Sequence, residues 1–205
     1  MSEREDDRLA AAEAAFEERL ALYRDLGHDR DAAVRWIVDE AWPLPSPVLD
    51  IGTGKGVLAV ELARRGALVT SVDPCREDQL LAARRARRVN CADRITFHAG
   101  TLASCPAPPG GYAAAAMMDV LHHLEDEGPL ARIGELVRPA ARLLLAEFSE
   151  EGFDIVARAH QAEGRVHWRG PVTLARACEV LGRLGWAVDR EASGHHHEVI
   201  VFRWR

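Results

Sequence analysis

The sequence predicts an α/β fold: a mostly parallel sheet covered by helices on both faces. Three observations predict it. An apolar run, Val48 to Ile51, leads into glycines at alternate positions, Gly52, Gly54 and Gly56, and helical spacing resumes from Val57 to Ala63. Strand-like and helix-like segments then alternate as far as Phe148. Finally, 205 residues at 48% hydrophobic and 28% charged content are enough for one such domain.

In chain order, residues 3–26 carry Leu9, Ala12, Phe16, Leu20 and Tyr23 at intervals of three or four, a narrow apolar stripe on an exposed helix that Gly27 can stop. A second helix runs from Asp29 or Asp31 to Ala41, with Val34, Ile37, Val38 and Ala41 facing inward. Pro43, Pro45 and Pro47 keep the next stretch extended, because proline fixes φ and biases the residue before it away from helix. The first strand follows, interrupted by one acid, Asp50. Glycine lacks a Cβ, so a ligand can lie against the bare backbone of the turn after it.

Gly66 ends the next helix, and Leu68 to Asp73 reads as strand two, closed by Pro74. A helix from Glu77 to Asn90 leads to strand three, Arg94 to Gly100, and Cys105 to Gly111 is a loop. Tyr112 to Asp119 is strand four; its alanines suit a helix by propensity, but the length and the flanking loops favour a strand. A helix from Gly128 to Val137 precedes strand five, which ends at Phe148. Helical spacing from Phe153 to about Glu163 places His160 and Glu163 one turn apart. Thr173 can cap a helix through Gly182. Trp186–Ala192 and Glu198–Trp204 form a terminal hairpin around Ser193 to His197.

The spacing of the turn selects its ligand. A dinucleotide fold uses G-x-G-x-x-G to receive a pyrophosphate. Here the pattern is D-x-G-x-G-x-G, and Asp50 would repel a diphosphate but suit a cationic amino-acid group. The segment Val48-Leu49-Asp50-Ile51-Gly52-Thr53-Gly54-Lys55-Gly56 resembles motif I of the class I S-adenosylmethionine (SAM)-dependent methyltransferases. Asp119-Val120-Leu121-His122-His123-Leu124 resembles their motif IV, and Arg138 to Phe148 their L-K-P-G-G-x-L-L-L turn and fifth strand. Alanines replace both glycines of that turn, so it is expected to avoid positive φ.

The resemblance implies a three-layer α/β/α sandwich with strand order 3-2-1-4-5-7-6 and only the last strand antiparallel. It implies SAM as cofactor and S-adenosylhomocysteine as product. Gly52, Thr53, Gly54 and Gly56 would shape the methionine pocket, with Asp50 anchoring the ammonium end. Asp73, at the end of strand two and beside Pro74, would accept from the ribose hydroxyls. Thr101 and Leu102 would border adenine, with Thr101 standing where the family usually has an acid. Asp119 would lie near the methionyl portion. In this fold the last hairpin returns to the same sheet edge, so three histidine groups could converge there: His122/His123, His160/His167 and His195 to His197. His123, His160, Glu163, His167, His196 and His197 are therefore the candidate catalytic residues. Proton abstraction, a metal site and plain surface histidines stay open as readings, although no standard zinc spacing is present.

Within one domain, residues 1–46 are expected to form a helical lid or simply to pack against the sheet, 47–148 the SAM-binding core, and 149–205 the acceptor side. A net charge of −6 disfavours nucleic acid as the main partner, and the cluster Arg84-Arg85-Ala86-Arg87-Arg88 reads as a solvated helix face. No run is long enough to span a membrane. Four scattered cysteines suit a cytoplasmic setting. The expected activity is methyl transfer to an O, N, S or C atom of an acceptor, most readily a small molecule. A non-catalytic SAM-fold partner subunit and an NAD-dependent oxidoreductase are the rivals. Oligomeric state and acceptor identity are silent in the sequence.

Overall fold

The computed structural model describes residues 3–205. Two helices, α1 (Glu3–Asp25) and α2 (Arg30–Ala41), precede β1 (Val48–Ile51). The core follows as α3 (Val57–Arg64), β2 (Val69–Asp73), α4 (Arg76–Arg88), β3 (Ile95–Ala99), β4 (Tyr112–Met118), α5 (Gly128–Leu136) and β5 (Val137–Phe148). The chain closes with α6 (Glu150–Ala162), α7 (Leu174–Arg183), β6 (Trp186–Gly194) and β7 (His197–Trp204). The seven strands form one sheet in the order β3-β2-β1-β4-β5-β7-β6, with β7 antiparallel to both its neighbours.

Successive strand side chains point to opposite faces, and each face has its own core. Val48, Ala114, Ala116, Leu144 and Val201 pack with α2 and α3 on one side. Leu49, Ala115, Met117, Leu143 and Phe202 pack with α5 and α7 on the other. This settles the alanine run of β4. Every residue of β4 is buried in the middle of the sheet, where pairing with β1 and β5 overrides helix propensity.

Helix starts follow their caps. The side chains of Asp29, Ser149 and Thr173 accept from the backbone N–H of Ala32, Gly152 and Arg176, fixing the first turns of α2, α6 and α7.

Three expectations change. Ala140 adopts φ +63°, so the turn into β5 does use the left-handed region without a glycine. The reason is register: β4 pairs Tyr112 with Val137 and then Ala114 with Arg142, and the surplus β5 residues must bulge. The strain at Ala140 costs about 1 kcal/mol. The basic cluster is not simply solvated: Arg84 pairs with Asp6 and Glu13, Arg85 with Asp31, and Arg88 with Glu13, so α4 holds the two N-terminal helices. Lastly, His197 belongs to β7, and the hairpin turn is only His195-His196, both at positive φ as a two-residue turn demands.

Candidate active site

The strand order reverses at β1, with β2 on one side and β4 on the other, and ligands of open parallel sheets bind at such a point beyond the strand C-termini. A cleft of about 540 Å³ opens there. Its floor is the β1 end and the glycine turn, Asp50 to Gly54. One wall is Asp73, Pro74, Thr101 and Leu102; the opposite wall is Met118, Asp119, Val120 and His123. Phe16, Arg19 and Tyr23 of α1 and Arg30 of α2 also line it, so the N-terminal helices reach the space that the sheet opens.

The glycines have distinct tasks. A Cβ on Gly52, which sits at φ +72°, would fall 2.4 Å from Val120 Cγ2. One on Gly56, at φ +80°, would fall 2.7 Å from Ala82 Cβ and 2.9 Å from its Cα, so bare backbone lets the start of α3 approach α4. Gly54 leaves its N–H free to donate to Asp73 Oδ2 at 2.8 Å. Asp73 Oδ1 accepts from the Cys75 N–H at 2.7 Å. Asp73 thus steadies the turn after β2 while its carboxylate faces the cleft.

Asp50 is 1% exposed, and its Oδ2 has no hydrogen-bond partner among the described residues. Burial, reinforced by the negative charge of Asp73 and offset in part by Thr53, pushes its carboxyl up to about 7. A buried carboxylate oxygen with nothing to accept from is costly unless a cation arrives. The cleft therefore offers a place for a positive ligand group at the floor and for hydroxyl donors at Asp73.

Asp119, at φ +58°, is a buried ion-pair centre. Its Oδ1 lies 3.0 Å from His197 Nε2 and its Oδ2 3.1 Å from Arg30 Nη2. His197 Nδ1 lies 2.9 Å from the carbonyl oxygen of His195. Both ring nitrogens of His197 face acceptors, so both carry protons and the ring is an imidazolium. Burial opposes that charge, but the Asp119 carboxylate and the His195 carbonyl hold the His197 pKa above the ordinary histidine value. Burial likewise works against an ionised Asp119, and the charges of His197 and Arg30 overcome it, leaving its pKa low.

The histidines converge only in part. The rings of His122 and His123 lie 4.0 Å apart, His167 is 5.0 Å from His122, and His160 is 4.8 Å from His167. His123 lines the cleft; burial and neighbouring His122 drop its pKa to about 4, and His167 falls to about 4 for the same leading reason. Glu163 is turned away, bound to Arg19 at 2.7 Å and to Arg165. His196 pairs with Glu151 at 3.3 Å and reaches the Gly27 carbonyl. His197 is the partner of Asp119 rather than an acceptor-side group. Among the described residues no group of three His, Cys, Asp or Glu side chains is arranged to hold a metal ion.

His28, between α1 and α2, was not anticipated. It is 2% exposed, wedged against Tyr23, Phe148, His196 and His197, and neither ring nitrogen has a hydrogen-bond partner among the described residues. Burial first, then the positive charges of His197 and Arg30, lowers it to about 4. Its folded pKa lies below the unfolded 6.5, so the unfolded chain takes up the proton first and stability is lost as pH falls from 6.5 to 4. The loss reaches about 3 kcal/mol below pH 4. His28→Phe should therefore raise the melting temperature at pH 5 by several degrees more than at pH 8; an equal shift at both would mean that the ring never charges on unfolding.

Comparison with known proteins decides the family. The sequence pattern described as a methyltransferase domain matches residues 26–198. The chain belongs to the methyltransferase-domain family. A ubiquinone biosynthesis O-methyltransferase of Aeromonas salmonicida is 32% identical over 173 residues, covering 79% of this chain and 71% of that protein. The protein of the same name from Sodalis glossinidius is 26% identical over 179 residues, covering 85% and 71%, while the Methylocella silvestris protein is matched over only 55% of its length. Among solved structures, magnesium protoporphyrin IX methyltransferase from Synechocystis PCC 6803 with bound S-adenosylhomocysteine aligns at a TM-score of 0.62 with 24% identity, covering 85% of this chain and 81% of that one. A glycopeptide N-methyltransferase complexed with SAM aligns at 0.67 with 17% identity, covering 85% and 94%.

The chain's fold is that of solved methyltransferases crystallised with SAM or S-adenosylhomocysteine. The site suits that cofactor on its own terms: an orphaned buried carboxylate oxygen for an ammonium, an acid at the β2 end, and glycines that admit a ligand to the backbone. Arg30, Tyr23, Phe16 and Glu147 went unforeseen in the sequence. Phe16 and Tyr23 had shown only as part of the apolar stripe of the first helix, and Glu147 as a lone acid within the apolar run of β5.

Proposed function

We propose that this methyltransferase moves the methyl group of SAM to the hydroxyl oxygen of a small phenolic acceptor. The observation that carries the reading is the cleft itself: Asp50 and Asp73 at one end, and a wall of uncharged imidazole, His123, at the other. We assign Asp50 to the ammonium of the cofactor, Asp73 and Pro74 to the ribose edge, and Thr101 and Leu102 to adenine. Gly52, Thr53, Gly54 and Gly56 shape the methionine pocket. Asp119, saturated by His197 and Arg30, bounds the methionyl side without touching the ammonium. The helices of residues 1–46 act as a lid, because four of their side chains line the cleft.

Sulfonium is a good leaving group, so holding the acceptor oxygen behind the methyl carbon supplies most of the rate. A neutral wall suits this cofactor, since an imidazolium beside a sulfonium would repel it. The acceptor oxygen must also lose a proton, and a phenol loses one far more readily than an alkyl hydroxyl. The names of the relatives as O-methyltransferases support oxygen as the acceptor atom. The net charge of −6 favours a small molecule over nucleic acid. Four unpaired cysteines accord with a cytoplasmic setting. Among the described residues no helix is long and apolar enough to cross a membrane.

Two measurements test this reading. Incubation with SAM and either catechol or 3,4-dihydroxybenzoate should release S-adenosylhomocysteine and a methyl ether; no release with any phenol removes the assignment. Calorimetry should show S-adenosylhomocysteine binding about tenfold tighter at pH 8 than at pH 6, because a carboxyl titrating near 7 must ionise to meet the ammonium. Asp50→Asn should flatten that dependence. A pH-independent affinity in the native protein would remove Asp50 from the ammonium site.

A further inference from the structure

One buried acid at the sheet edge takes no part in the cofactor cleft. Glu147, the penultimate residue of β5, is 3% exposed in an otherwise apolar strand. Both its carboxylate oxygens are held: Oε2 accepts from the His122 N–H at 3.2 Å, and Oε1 from the Phe148 N–H at 2.9 Å. Oε1 also lies 2.9 Å from His122 Nδ1. An ionised carboxylate only accepts, so Nδ1 carries a proton, and in the neutral form of the ring the lone pair sits on Nε2. Orientation of an imidazole by a buried acid, leaving the far nitrogen basic, is the arrangement that general-base histidines use.

The His122 ring is buried beside the cleft rather than in its lining. His122 sits in the short 3-10 turn Leu121–His123, and Asp119, Val120, His123 and Leu124 on either side of it all line the cleft. Its own surroundings are His123, His167 and Phe153, at ring separations of 4.0, 5.0 and 5.2 Å. The segment 163–170 lies over this group: the Gly170 N–H donates to the His122 carbonyl at 2.7 Å, and the Arg169 guanidinium caps the Phe153 ring at 3.7 Å. Most of that segment is exposed, Val166 and Trp168 included. Among the described residues, His122 is the only one of the four clustered imidazoles with a carboxylate partner. His123, His160 and His167 have none, and burial keeps each of them less basic than an ordinary histidine.

We propose that His122, oriented by Glu147, is the general base of the transfer, and that the acceptor hydroxyl docks against the contacting His122–His123 pair beneath segment 163–170. As the acceptor oxygen forms its bond to the methyl carbon, the carbon–sulfur bond breaks and its electron pair stays on sulfur, giving neutral S-adenosylhomocysteine. The hydroxyl proton passes to His122 Nε2. The positive charge of the sulfonium thus ends on an imidazolium paired with the Glu147 carboxylate, and the proton leaves to solvent after product release. Glu147 is a positioning residue; His122 is the catalytic one. This assignment rests on the phenolic reading above.

The test uses the full chain with SAM and two probes, catechol and the more acidic 4-nitrocatechol. His122→Gln should cut kcat on catechol by about a hundredfold or more, leave S-adenosylhomocysteine affinity unchanged, and spare 4-nitrocatechol, which is already ionised. Glu147→Gln should lower kcat and move the acid limb of the kcat/KM profile, with calorimetric cofactor binding showing that the variant is folded. Nitrogen-15 NMR should find the Nδ1–H tautomer at His122. Native activity on catechol with an unimpaired His122→Gln variant, or the Nε2–H tautomer, overturns the inference. A native enzyme inactive on every phenol instead overturns the phenolic reading, and with it the need for a base.

Discussion

Asp73→Ala should weaken S-adenosylhomocysteine binding about a hundredfold, the largest loss expected from any single change at the cleft. A hydrogen bond to a charged acceptor contributes roughly 1.5–3 kcal/mol, and about 3 kcal/mol in total for two ribose hydroxyls corresponds to a hundredfold in affinity. Part of the loss is indirect. Asp73 also holds the Gly54 N–H at 2.8 Å and the Cys75 N–H at 2.7 Å, so alanine frees the glycine turn and the entry to α4 together. Asp73→Asn separates the two effects. It keeps an acceptor for one backbone N–H and one hydroxyl, and should lose only about tenfold. Calorimetry on both variants, with thermal melts alongside, decides the matter. If alanine binds S-adenosylhomocysteine as tightly as the native chain, the ribose assignment is wrong and Asp73 serves the turn alone.

The elements were legible where the determinants are local. Proline approach, apolar run, alternating glycines and the acid ending β2 lie within one stretch, and each has a steric or electrostatic meaning that needs no partner from afar. The sheet order came from the resemblance of those motifs. What the sequence concealed depends on residues brought together across the chain. Arg30 reaches Asp119 across 89 positions, and His197 reaches it across 78. No local pattern marks either. Ala140 misled for the opposite reason: a rule about glycine and positive φ holds for single residues, but the offset between β4 and β5 imposes its conformation from outside. The histidines show both sides of this. Topology brings His160 and His167 to the His122–His123 turn, whereas only the register of β7 reveals that His197 points inward to Asp119. Glu163, chosen for lying one helical turn from His160, is claimed by arginines on α1 and the following segment.

Asp119→Ala should destabilise the fold by about 3–5 kcal/mol, because it leaves the His197 imidazolium and the Arg30 guanidinium at a buried site without their counter-ion. Alanine at φ +58° adds strain that aspartate and asparagine tolerate better. Asp119→Asn is therefore the informative partner: it keeps the backbone and one acceptor oxygen and removes only charge, so the two variants divide strain from electrostatics. The pH dependence gives the sign. His197 has a folded pKa above 6.5, so its contribution is complete below that value and is lost as pH rises through the folded pKa. Asp119 has a folded pKa below 3.8, so its contribution is complete above that value and is lost as pH falls through the folded pKa. The stability gap between native protein and Asp119→Asn should hence be widest between about pH 4 and 6.5, narrowing in stronger acid and in alkali. Urea unfolding at pH 5, 7 and 9 measures it. A gap that stays constant from pH 5 to 9 would mean that His197 is neutral in the folded protein, with Asp119 protonated or turned away from it.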